Sequence, residues 1–335
     1  MSPAQVVVTG AAGFVGRHLA ERLVAVGMPV VASDLRDPRI AGARFACCDI
    51  TDPAACERLV QGASAIFHVA SAVQTRRSGA AAVWAVNHGG TRNLLAAARR
   101  SGVMRFIYVS SASVVYQGAD IEHGDESLPY AALSQAPYAD SKIAAEREVL
   151  AASRADALRT CALRPHVVFG PGDGRLLPAI LRHADGLRLG VGGRDKRSDF
   201  TYVDNLIDAL VSADTRLAAD PALGGRAWFI TNGEPLAFWD FIDRMLTATG
   251  RPVTRGRIPF PVAYAAAALA ETVTTLLGRS TGPENGFTRF AVRYMCTHHY
   301  FSIDRARRDL GYAPAVSIDE GIVRTAQHLL ATGGR

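Results

Sequence analysis

Cysteine is scarce in this sequence, with five residues among 335 and no Cys-x-x-Cys pair. The five are Cys47, Cys48, Cys56, Cys161 and Cys296. A disulfide-stabilised secreted domain or a structural zinc site would need more cysteines at regular spacings. We therefore expect reduced, buried thiols and no metal site.

Two marks of secreted or nucleic-acid-binding proteins are also lacking. The opening residues, MSPAQVVVTG, have neither the basic start nor the apolar core of a secretory signal, so we expect a cytoplasmic protein. The formal net charge is +6, but the basic residues are scattered rather than clustered with aromatic residues. We expect no nucleic-acid partner, whereas an anionic ligand or a lipid surface agrees with the charge.

Only one segment, Ile258 to Gly278, approaches the length of an apolar membrane span. Glu271, several threonines and two early prolines weaken that interpretation. We expect a packed helix or an apolar lid, with peripheral contact to a membrane as the alternative.

Apolar runs of strand length alternate with helix-period stretches through the first half of the chain, including a helix around Val15 to Val26. Strands that are apolar on both faces and separated by helices are typical of a parallel sheet covered on both sides. The predicted fold class is therefore α/β, a doubly wound parallel Rossmann sheet with a smaller mixed C-terminal substrate lobe. The predicted strands lie in QVVVTG, PVVASD, ARFACCD, AIFHVAS, RFIYVSS and TCALRP.

The pattern loosens after Pro165 into short strands in LRLGV and AWFIT and helices that begin at Val203 and Phe238. No repeat, low-complexity tract or flexible linker separates the two parts. We predict a nucleotide-binding domain over residues 1–165 and a substrate-binding lobe over residues 166–335, packed together and with some chain crossing between them.

The stretch VVVTGAAGFVG places Gly10, Gly13 and Gly16 after the first strand and at the opening of a helix, with Phe14 and Val15 between them. Glycines there allow a tight turn and a close approach of backbone N–H groups to a pyrophosphate, which the helix N-terminus stabilises. Because the triad sits between a strand and a helix, it predicts a dinucleotide site.

An acidic residue, Asp34, ends the second strand in VVASDLR. A carboxylate there accepts hydrogen bonds from the adenosine ribose and repels a 2′-phosphate, so we expect NAD as the cofactor, with Arg36 leaving a case for NADP. Adenine and ribose contacts should also fall where later strands reach the same edge. These contacts are predicted at Asp49, Ile50, Val69, Ala70 and Ser71. His68 is interpreted as a packed imidazole.

The stretch PYADSK places Tyr138 and Lys142 four residues apart at the start of a predicted helix, so both lie on one face. A nearby ammonium lowers the pKa of a phenol, which then exchanges a proton with an alcohol as a hydride moves. A serine hydroxyl should be aimed at the same substrate oxygen. YVSSASVVY offers Ser110, Ser111 and Ser113, and the residues alone do not choose between them.

Four motifs, TGAAGFVG, SSASVVY, YADSK and LRPHVVFGPGD, occur in an order and spacing that resemble the extended short-chain dehydrogenase/reductase family. The resemblance implies that Ser111, the serine before the Ala-x-Val run, acts with Tyr138 and Lys142 in catalysis. It also implies that Pro165 to Val168 orient the nicotinamide carboxamide and that Asn87 helps to hold the active-site region. We therefore count Asn87, Tyr138, Lys142, Pro165 and Val168 among the cofactor-binding residues, with the Lys142 ammonium near the nicotinamide ribose.

Motifs of the second half narrow the resemblance. DFTYVDN, IPFPVAYAAA and HYFSIDRARRDLGYAP look like the 3β-hydroxysteroid dehydrogenase branch, and most like sterol-4α-carboxylate 3-dehydrogenases. The implied activity is NAD-dependent oxidation of a 3β-hydroxyl on a steroid or sterol-like substrate by a homodimer, with decarboxylation of a neighbouring 4-carboxylate as a further step. The apolar segment before Gly278 is shorter and more polar than the membrane-associated stretch of the eukaryotic sterol enzymes.

Other functions stay open beside this one. A nucleotide-sugar epimerase or reductase shares the first half but should have a more polar second lobe, and a reductase of a long-chain β-keto acid would use the same three catalytic residues. A non-catalytic NAD-sensing module would be free to lose Tyr138 and Lys142, and both are present.

Substrate contacts are predicted from charge and apolarity. A basic side chain should anchor a substrate carboxylate, and the candidates are Arg76, Arg77, Arg175 and Arg197. A hydrophobic slot is predicted between the helix from Val262 and the aromatic residues Phe287, Phe290 and Tyr294.

Overall fold

The computed structural model describes residues 5–73, 79–132, 136–154, 156–276 and 288–332. The strands are β1 (Gln5–Thr9), β2 (Val30–Asp34), β3 (Arg44–Cys47), β4 (Ala63–His68), β5 (Arg105–Val109), β6 (Ile121–Gly124), β7 (Arg159–Pro165), β8 (Val168–Phe169), β9 (Leu189–Val191), β10 (Arg197–Ser198), β11 (Thr201–Tyr202), β12 (Arg226–Ile230), β13 (Leu236–Ala237), β14 (Gly256–Ile258) and β15 (His299–Phe301).

The α-helices are α1 (Phe14–Ala25), α2 (Pro53–Leu59), α3 (Ala80–Trp84), α4 (Thr91–Arg100), α5 (Pro137–Ala151), α6 (Leu176–Asp185), α7 (Val203–Ala219), α8 (Phe238–Ala248), α9 (Phe260–Leu276), α10 (Arg289–Met295), α11 (Asp304–Leu310) and α12 (Ile318–Ala331). A π-helical turn at Ala85–Gly90 joins α3 to α4, and short 3₁₀ turns lie at Ala112–Val115 and Pro221–Leu223.

Seven strands form one sheet in the order β12-β7-β5-β4-β1-β2-β3, with every neighbouring pair parallel. The chain order reverses between β1 and β4, and a crevice at such a switch point is where doubly wound sheets bind ligands. All six predicted strands are confirmed, as is the helix predicted around Val15 to Val26, which runs over Phe14–Ala25.

Side-chain alternation along β1 explains how the sheet is covered on both faces. Val6 and Val8 belong to the core on the side that includes residues of α1 and α7, whereas Val7 belongs to the core on the side of α2, α4 and α5. All three valines are fully buried. The apolar run of β1 is therefore required by burial on two faces, as expected of a central parallel strand.

The second half of the chain contributes to both parts of the fold. β12 is the edge strand of the seven-stranded sheet beside β7, and the buried face of α7 packs in the same core as α1. A smaller mixed sheet has the order β13-β10-β15-β6, in which β10 and β13 are antiparallel and the other pairs parallel. The fold class is confirmed, and the division after residue 165 stays a prediction.

The apolar segment from Ile258 forms α9, in which Ala263 and Ala267 are buried while Val262 and Leu269 are 58% and 66% exposed. The prediction of a helix is confirmed as far as Leu276, and the rest of the segment lies outside the described residues. Within the described part of the chain, none of the helices combines the length and apolarity needed to cross a bilayer. Peripheral membrane contact stays a prediction.

The cysteines agree only in part with the expectation of buried thiols. All five are free, and Cys48, Cys56 and Cys161 are buried. The prediction is wrong for Cys47, which is exposed, and for Cys296, which is half-buried. Cys47 ends β3, which is an edge strand of the main sheet among the described residues.

Candidate active site

A cavity of about 680 Å³ opens at the carboxyl ends of the central strands. This volume lies in the range of small-molecule and cofactor sites. Most of the predicted site residues line it. Those that do are Gly10, Gly13, Phe14, Val15, Gly16, Asp34, Asp49, Ile50, Val69, Ala70, Ser71, Ser111, Tyr138, Lys142, Pro165 and Val168.

The glycine turn forms a cradle that side chains would fill. Gly10 has φ +72°, and a Cβ there would lie 2.6 Å from the backbone nitrogen of Ala70. A Cβ on Gly16 would lie 2.1 Å from the carbonyl oxygen of Gly10. Gly13 precedes α1, whose first turn has no side-chain cap and no acidic residue. The open helix N-terminus and the glycine cradle fit a pyrophosphate.

Asp34 lines the cavity beside the glycine turn. Its Oδ2 accepts a hydrogen bond from the Ala12 nitrogen at 3.0 Å, and its Oδ1 accepts one from the Leu35 nitrogen at 2.7 Å. Each carboxylate oxygen keeps a further lone pair, so ribose hydroxyls fit beside these contacts. Arg36 is exposed. The exposed position of Arg36 does not decide whether the cofactor is NAD or NADP.

Asp49 and Ile50 follow β3 at the same edge of the sheet. The Thr51 hydroxyl and backbone nitrogen donate to Asp49 Oδ1 at 2.7 and 2.9 Å, and these hydrogen bonds lower the pKa of the exposed Asp49 carboxyl. Ile50 is buried and leaves no room for a side chain at Gly90, since a Cβ there would lie 2.6 Å from its Cδ1.

Asn87 differs from the other predicted cofactor residues because it lies behind the cavity wall. It is buried in the π-helical turn, where Oδ1 accepts from the Ala72 nitrogen at 2.7 Å and Nδ2 donates to the Ala72 oxygen at 2.8 Å. Nδ2 also donates to Ser141 Oγ, 3.0 Å away, and that hydroxyl donates to the Tyr138 carbonyl. Asn87 therefore ties the segment after β4 to the first turn of α5.

Tyr138 and Lys142 occupy the first two turns of α5, which starts at Pro137 after the extended residue Ala136. Lys142 Nζ lies 6.0 Å from the centroid of the Tyr138 ring and donates to the Val109 carbonyl at 2.8 Å. Lys142 is 2% exposed, and its burial lowers the pKa of the ammonium to about 7. Tyr138 is half-buried and faces the cavity.

Ser111 is the one of the three candidate serines whose hydroxyl is fixed at the cavity by local structure. It caps the 3₁₀ turn at Ala112–Val115, and its Oγ accepts from the Ser113 nitrogen at 3.2 Å and lies 2.9 Å from Ser113 Oγ. Ser110 also lines the cavity, but its hydroxyl is buried and finds no hydrogen-bond partner among the described residues. Ser113 does not line the cavity.

The remaining predicted residues are spread out. His68 is a packed imidazole as expected, held between Thr9 and Thr91. Arg175 is exposed at the cavity rim, whereas Arg197 is exposed at the start of β10 and does not line the cavity. Phe290 and Tyr294 stack on each other outside the cavity lining. The predicted residues Arg76, Arg77 and Phe287 lie outside the described residues.

Sequence reasoning missed several residues that shape the site. Tyr108 lies under Lys142, with its ring centroid 4.6 Å from Nζ. Glu146, one turn beyond Lys142, is buried and paired with Arg164. Asp173 lines the cavity and accepts hydrogen bonds from three backbone nitrogens at the start of α6. Only Asp173 had a readable signal, an acidic residue three positions before the apolar helical pattern that begins at Leu176.

Comparison with known proteins assigns the chain to a family. The family model described as "3-beta hydroxysteroid dehydrogenase/isomerase family" matches residues 7–262. The chain belongs to this family. The predicted branch of the extended short-chain dehydrogenases/reductases is thereby confirmed, and with it an NAD(P)-dependent oxidoreductase.

Three curated relatives are similar to this chain over most of their own length. The decarboxylating sterol-4-alpha-carboxylate 3-dehydrogenase of Mus musculus is 34% identical, covering 96% of this chain and 89% of its own. The 2-alkyl-3-oxoalkanoate reductase of Stenotrophomonas maltophilia is 38% identical, covering 96% and 98%. The 3 beta-hydroxysteroid dehydrogenase/Delta 5→4-isomerase of Mycobacterium tuberculosis is 36% identical, covering 95% and 88%.

Solved structures share the fold over the whole chain. The crystal structure of gox2253 superposes with a TM-score of 0.79 at 25% identity, covering 99% of both chains. MoeE5 in complex with UDP-glucuronic acid and NAD superposes with a TM-score of 0.74 at 26% identity, covering 98% of this chain and 99% of its own. A shared fold of this kind does not by itself identify the substrate.

Proposed function

We propose that this chain is an NAD-dependent dehydrogenase that oxidises a 3β-hydroxyl on a steroid or sterol-like substrate. The observation that carries the proposal is that Ser111, Tyr138 and Lys142 line one cavity whose other end is the glycine cradle beside Asp34. The named activities of two relatives, a sterol-4-alpha-carboxylate 3-dehydrogenase and a 3 beta-hydroxysteroid dehydrogenase, support the substrate class.

The cofactor-binding residues are proposed from the same geometry. Gly10, Gly13 and Gly16 would hold the pyrophosphate, Asp34 the adenosine ribose, and Pro165 to Val168 would face the nicotinamide. NAD bound there supplies the acceptor for the hydride that leaves the alcohol carbon.

The protein's own groups move the proton and hold the oxygen. Tyr138 takes the hydroxyl proton as general base while Ser111 donates a hydrogen bond to the same substrate oxygen. The ammonium of Lys142 favours the phenolate form of Tyr138. Lys142 is kept at the site by its hydrogen bond to the Val109 carbonyl.

A carboxylate on the carbon beside the new ketone would be lost without further machinery. Oxidation turns such a substrate into a β-keto acid, whose C–C bond to the carboxylate breaks to release CO₂ and leave an enolate. Hydroxyl donors already aimed at the ketone oxygen stabilise that enolate, which then takes a proton on carbon. Ser111 and Tyr138 hold this position in the proposed mechanism.

A second candidate function is the reduction of a long-chain β-keto acid. The named activity of the Stenotrophomonas relative, a 2-alkyl-3-oxoalkanoate reductase, favours it. The same three residues would serve, with Tyr138 giving a proton to the ketone oxygen instead of taking one. The nucleotide-sugar epimerase or reductase is the third outcome to be tested.

The deciding experiment compares substrates by the absorbance of NADH. Purified protein is offered NAD⁺ with a 3β-hydroxysteroid, a 4α-carboxy sterol or a UDP-sugar, and NADH with a 2-alkyl-3-oxoalkanoate. CO₂ release is followed for the carboxy sterol, and the sugar epimers are separated by chromatography for the UDP-sugar, because an epimerase leaves no net NADH. Turnover of either sterol supports the proposal. Turnover of the UDP-sugar or the oxoalkanoate alone would replace it with the corresponding alternative.

The role of Tyr138 is tested by Tyr138→Phe. Loss of a general base typically slows turnover by about 10²- to 10⁴-fold, and we expect this loss with NADH affinity nearly unchanged. Tyr300→Phe is the matched control, because the Tyr300 hydroxyl bonds Glu122 away from the cavity. Wild-type turnover in Tyr138→Phe would refute the proton-transfer role.

A further inference from the structure

Three side chains connect the proposed nicotinamide segment to α10. His166 is 3% exposed and lies between Pro165 and Val167, which both line the cavity. The Tyr294 oxygen lies 2.8 Å from His166 Nδ1, and His166 Nε2 lies 2.7 Å from His299 Nδ1. His299 Nε2 in turn lies 2.6 Å from the backbone oxygen of Tyr294. The three contacts therefore form a closed circuit that starts and ends at Tyr294.

The backbone oxygen fixes the direction of every hydrogen bond in this circuit. A carbonyl only accepts, so His299 Nε2 carries the proton and donates. Burial lowers the pKa of His299 to about 4 and that of His166 well below its ordinary value, so both rings are neutral and each carries one proton. His299 Nδ1 therefore accepts from His166 Nε2, and His166 Nδ1 accepts from the Tyr294 hydroxyl.

Two further contacts lie beside this circuit. Ser198 Oγ lies 3.0 Å from His299 Nδ1 and donates to the Asp199 carbonyl at 3.2 Å. The Tyr294 oxygen is also 3.2 Å from His166 Nε2, so it lies close to both ring nitrogens. With all three side chains neutral and satisfied, the circuit costs little to bury.

The backbone beside His166 is held in an unfavourable conformation. Val167 has φ +39°, in the left-handed region that β-branched residues avoid. Such a residue persists only where the surroundings fix it, and these residues cluster at ligand-binding sites. The His166 side chain, anchored at both ring nitrogens, and the Thr201 hydroxyl, 2.6 Å from the His166 carbonyl, provide that fixation on the side facing away from the cavity.

We propose that His166 is a positioning residue for the nicotinamide end of the cofactor. The closed circuit with Tyr294 and His299 holds Val167 in its left-handed conformation, so that the Pro165–Val168 backbone faces the nicotinamide. This inference rests on the proposed function for the identity of the cofactor. It assigns a role to α10, whose Tyr294 is supplied by a part of the chain 128 residues beyond His166.

The test compares two ligands that differ at the nicotinamide. Tyr294→Phe removes the donor to His166 Nδ1 while keeping the ring. We expect it to weaken NAD⁺ binding by about fivefold or more and to alter the emission of bound NADH, with the affinity for ADP-ribose, which lacks the nicotinamide, unchanged within about twofold. Calorimetry measures both affinities, and His299→Gln provides a second variant should Tyr294→Phe fold poorly.

Tyr312→Phe is the matched control for a purely structural loss. Tyr312 is also buried in the C-terminal part of the chain, and its hydroxyl donates to the Thr231 carbonyl at 2.9 Å, away from the cavity lining. We expect this variant to lose thermal stability without changing the ratio of NAD⁺ to ADP-ribose affinity.

A second substitution tests whether the loss of NAD⁺ affinity in Tyr294→Phe comes from the backbone conformation at Val167 or from lower stability. Glycine adopts a positive φ without strain, so adding Val167→Gly to Tyr294→Phe should restore NAD⁺ affinity without restoring thermal stability. Equal weakening of NAD⁺ and ADP-ribose, or a double variant that binds NAD⁺ no better than the single one, would overturn the proposal. A wild-type protein that binds neither ligand would overturn the proposed function itself.

Discussion

Lys142 carries a charge that its buried surroundings disfavour. Burial lowers the pKa of its ammonium to about 7, and the nearby Glu146 carboxylate opposes this only in part. Ribose hydroxyls bound beside the ammonium would accept hydrogen bonds from it and favour the charged form again. Binding of the cofactor and protonation of Lys142 should therefore be linked.

This linkage gives a prediction for pH. Because the cofactor-free Lys142 loses its proton above about pH 7, NADH binding at higher pH must take a proton up, and its affinity should fall by up to about tenfold per pH unit from pH 7 to about pH 9. Calorimetry in buffers of different ionisation enthalpy measures the uptake. Lys142→Arg stays charged and Lys142→Met stays neutral, so neither should take up this proton. Zero uptake by the wild type would contradict the prediction.

Asp34 gives a second prediction at the residue scale. Asp34→Ala removes the charge that would repel a 2′-phosphate and the acceptors for the ribose hydroxyls, so the ratio of NAD⁺ to NADP⁺ affinity should fall by about tenfold or more. Both affinities should drop somewhat, because Asp34 also accepts from the Ala12 nitrogen in the glycine turn. Asp37→Ala, at an exposed carboxylate of the same loop, should leave the ratio unchanged. An unchanged ratio in Asp34→Ala would show that this carboxylate does not touch the ribose.

At the scale of elements, α5 is fixed to the sheet by a buried ion pair. Glu146 Oε1 accepts from Arg164 Nε at 3.0 Å and from the Tyr130 hydroxyl at 2.8 Å. The side chains of Arg164 and Glu146 are 5% and 0% exposed. Since Glu146 follows Lys142 by one turn and Arg164 precedes Pro165, the pair joins the two elements that face the proposed reaction centre.

Glu146→Gln should destabilise the fold strongly. It leaves the Arg164 guanidinium buried without a compensating charge, which typically costs about 3–5 kcal/mol. Urea unfolding measures the loss. Glu148→Gln is the control on the same helix, where the His88–Glu148 pair is half-exposed and its loss should cost less than about 1 kcal/mol. Equal effects of the two variants would show that burial does not decide the strength of the pair.

The elements were more predictable than the contacts between them. Strands such as β1 could be predicted because burial on both faces requires an uninterrupted apolar run. The glycine turn was predictable because the local backbone at Gly10 and Gly16 leaves no room for a Cβ atom. The His166–His299 contact spans 133 residues, and no local pattern specifies it. β12 has the composition of any buried strand, so its place at the edge of the main sheet had no signature in AWFIT.

At the scale of the whole molecule, buried neutral histidines connect parts of the chain distant in sequence. His68 bridges Thr9 and Thr91 within the main sheet region, and its burial lowers its pKa to about 3. His166 and His299 join the strand edge to β15 and α10. Each imidazole must stay neutral, with one ring nitrogen free to accept, for its hydrogen bonds to persist. Acid should therefore weaken these connections together.

Acid sensitivity is the last prediction. The pKa of His299 is lowered from 6.5 to about 4 in the fold, so the unfolded chain binds a proton between these values that the folded chain does not. The stabilisation is complete above about pH 6.5 and is lost as the pH falls to about 4, by on the order of 3 kcal/mol for this one residue. Burial raises the pKa of Asp199 to about 7, which acts in the opposite direction over the same range. The wild-type profile alone therefore does not isolate the histidine.

The contribution of His299 is isolated by comparing variants. Urea unfolding of His299→Gln, measured between about pH 7 and about pH 4, should lose a slope of up to about 1.4 kcal/mol per pH unit relative to the wild type, because glutamine takes up no proton. His328→Gln, at an exposed histidine of α12, should keep the wild-type slope. If His299→Gln retained that slope as well, the imidazole would have to be freely protonated in the fold, and the direction of hydrogen bonds from Tyr294 through His166 would have to be abandoned.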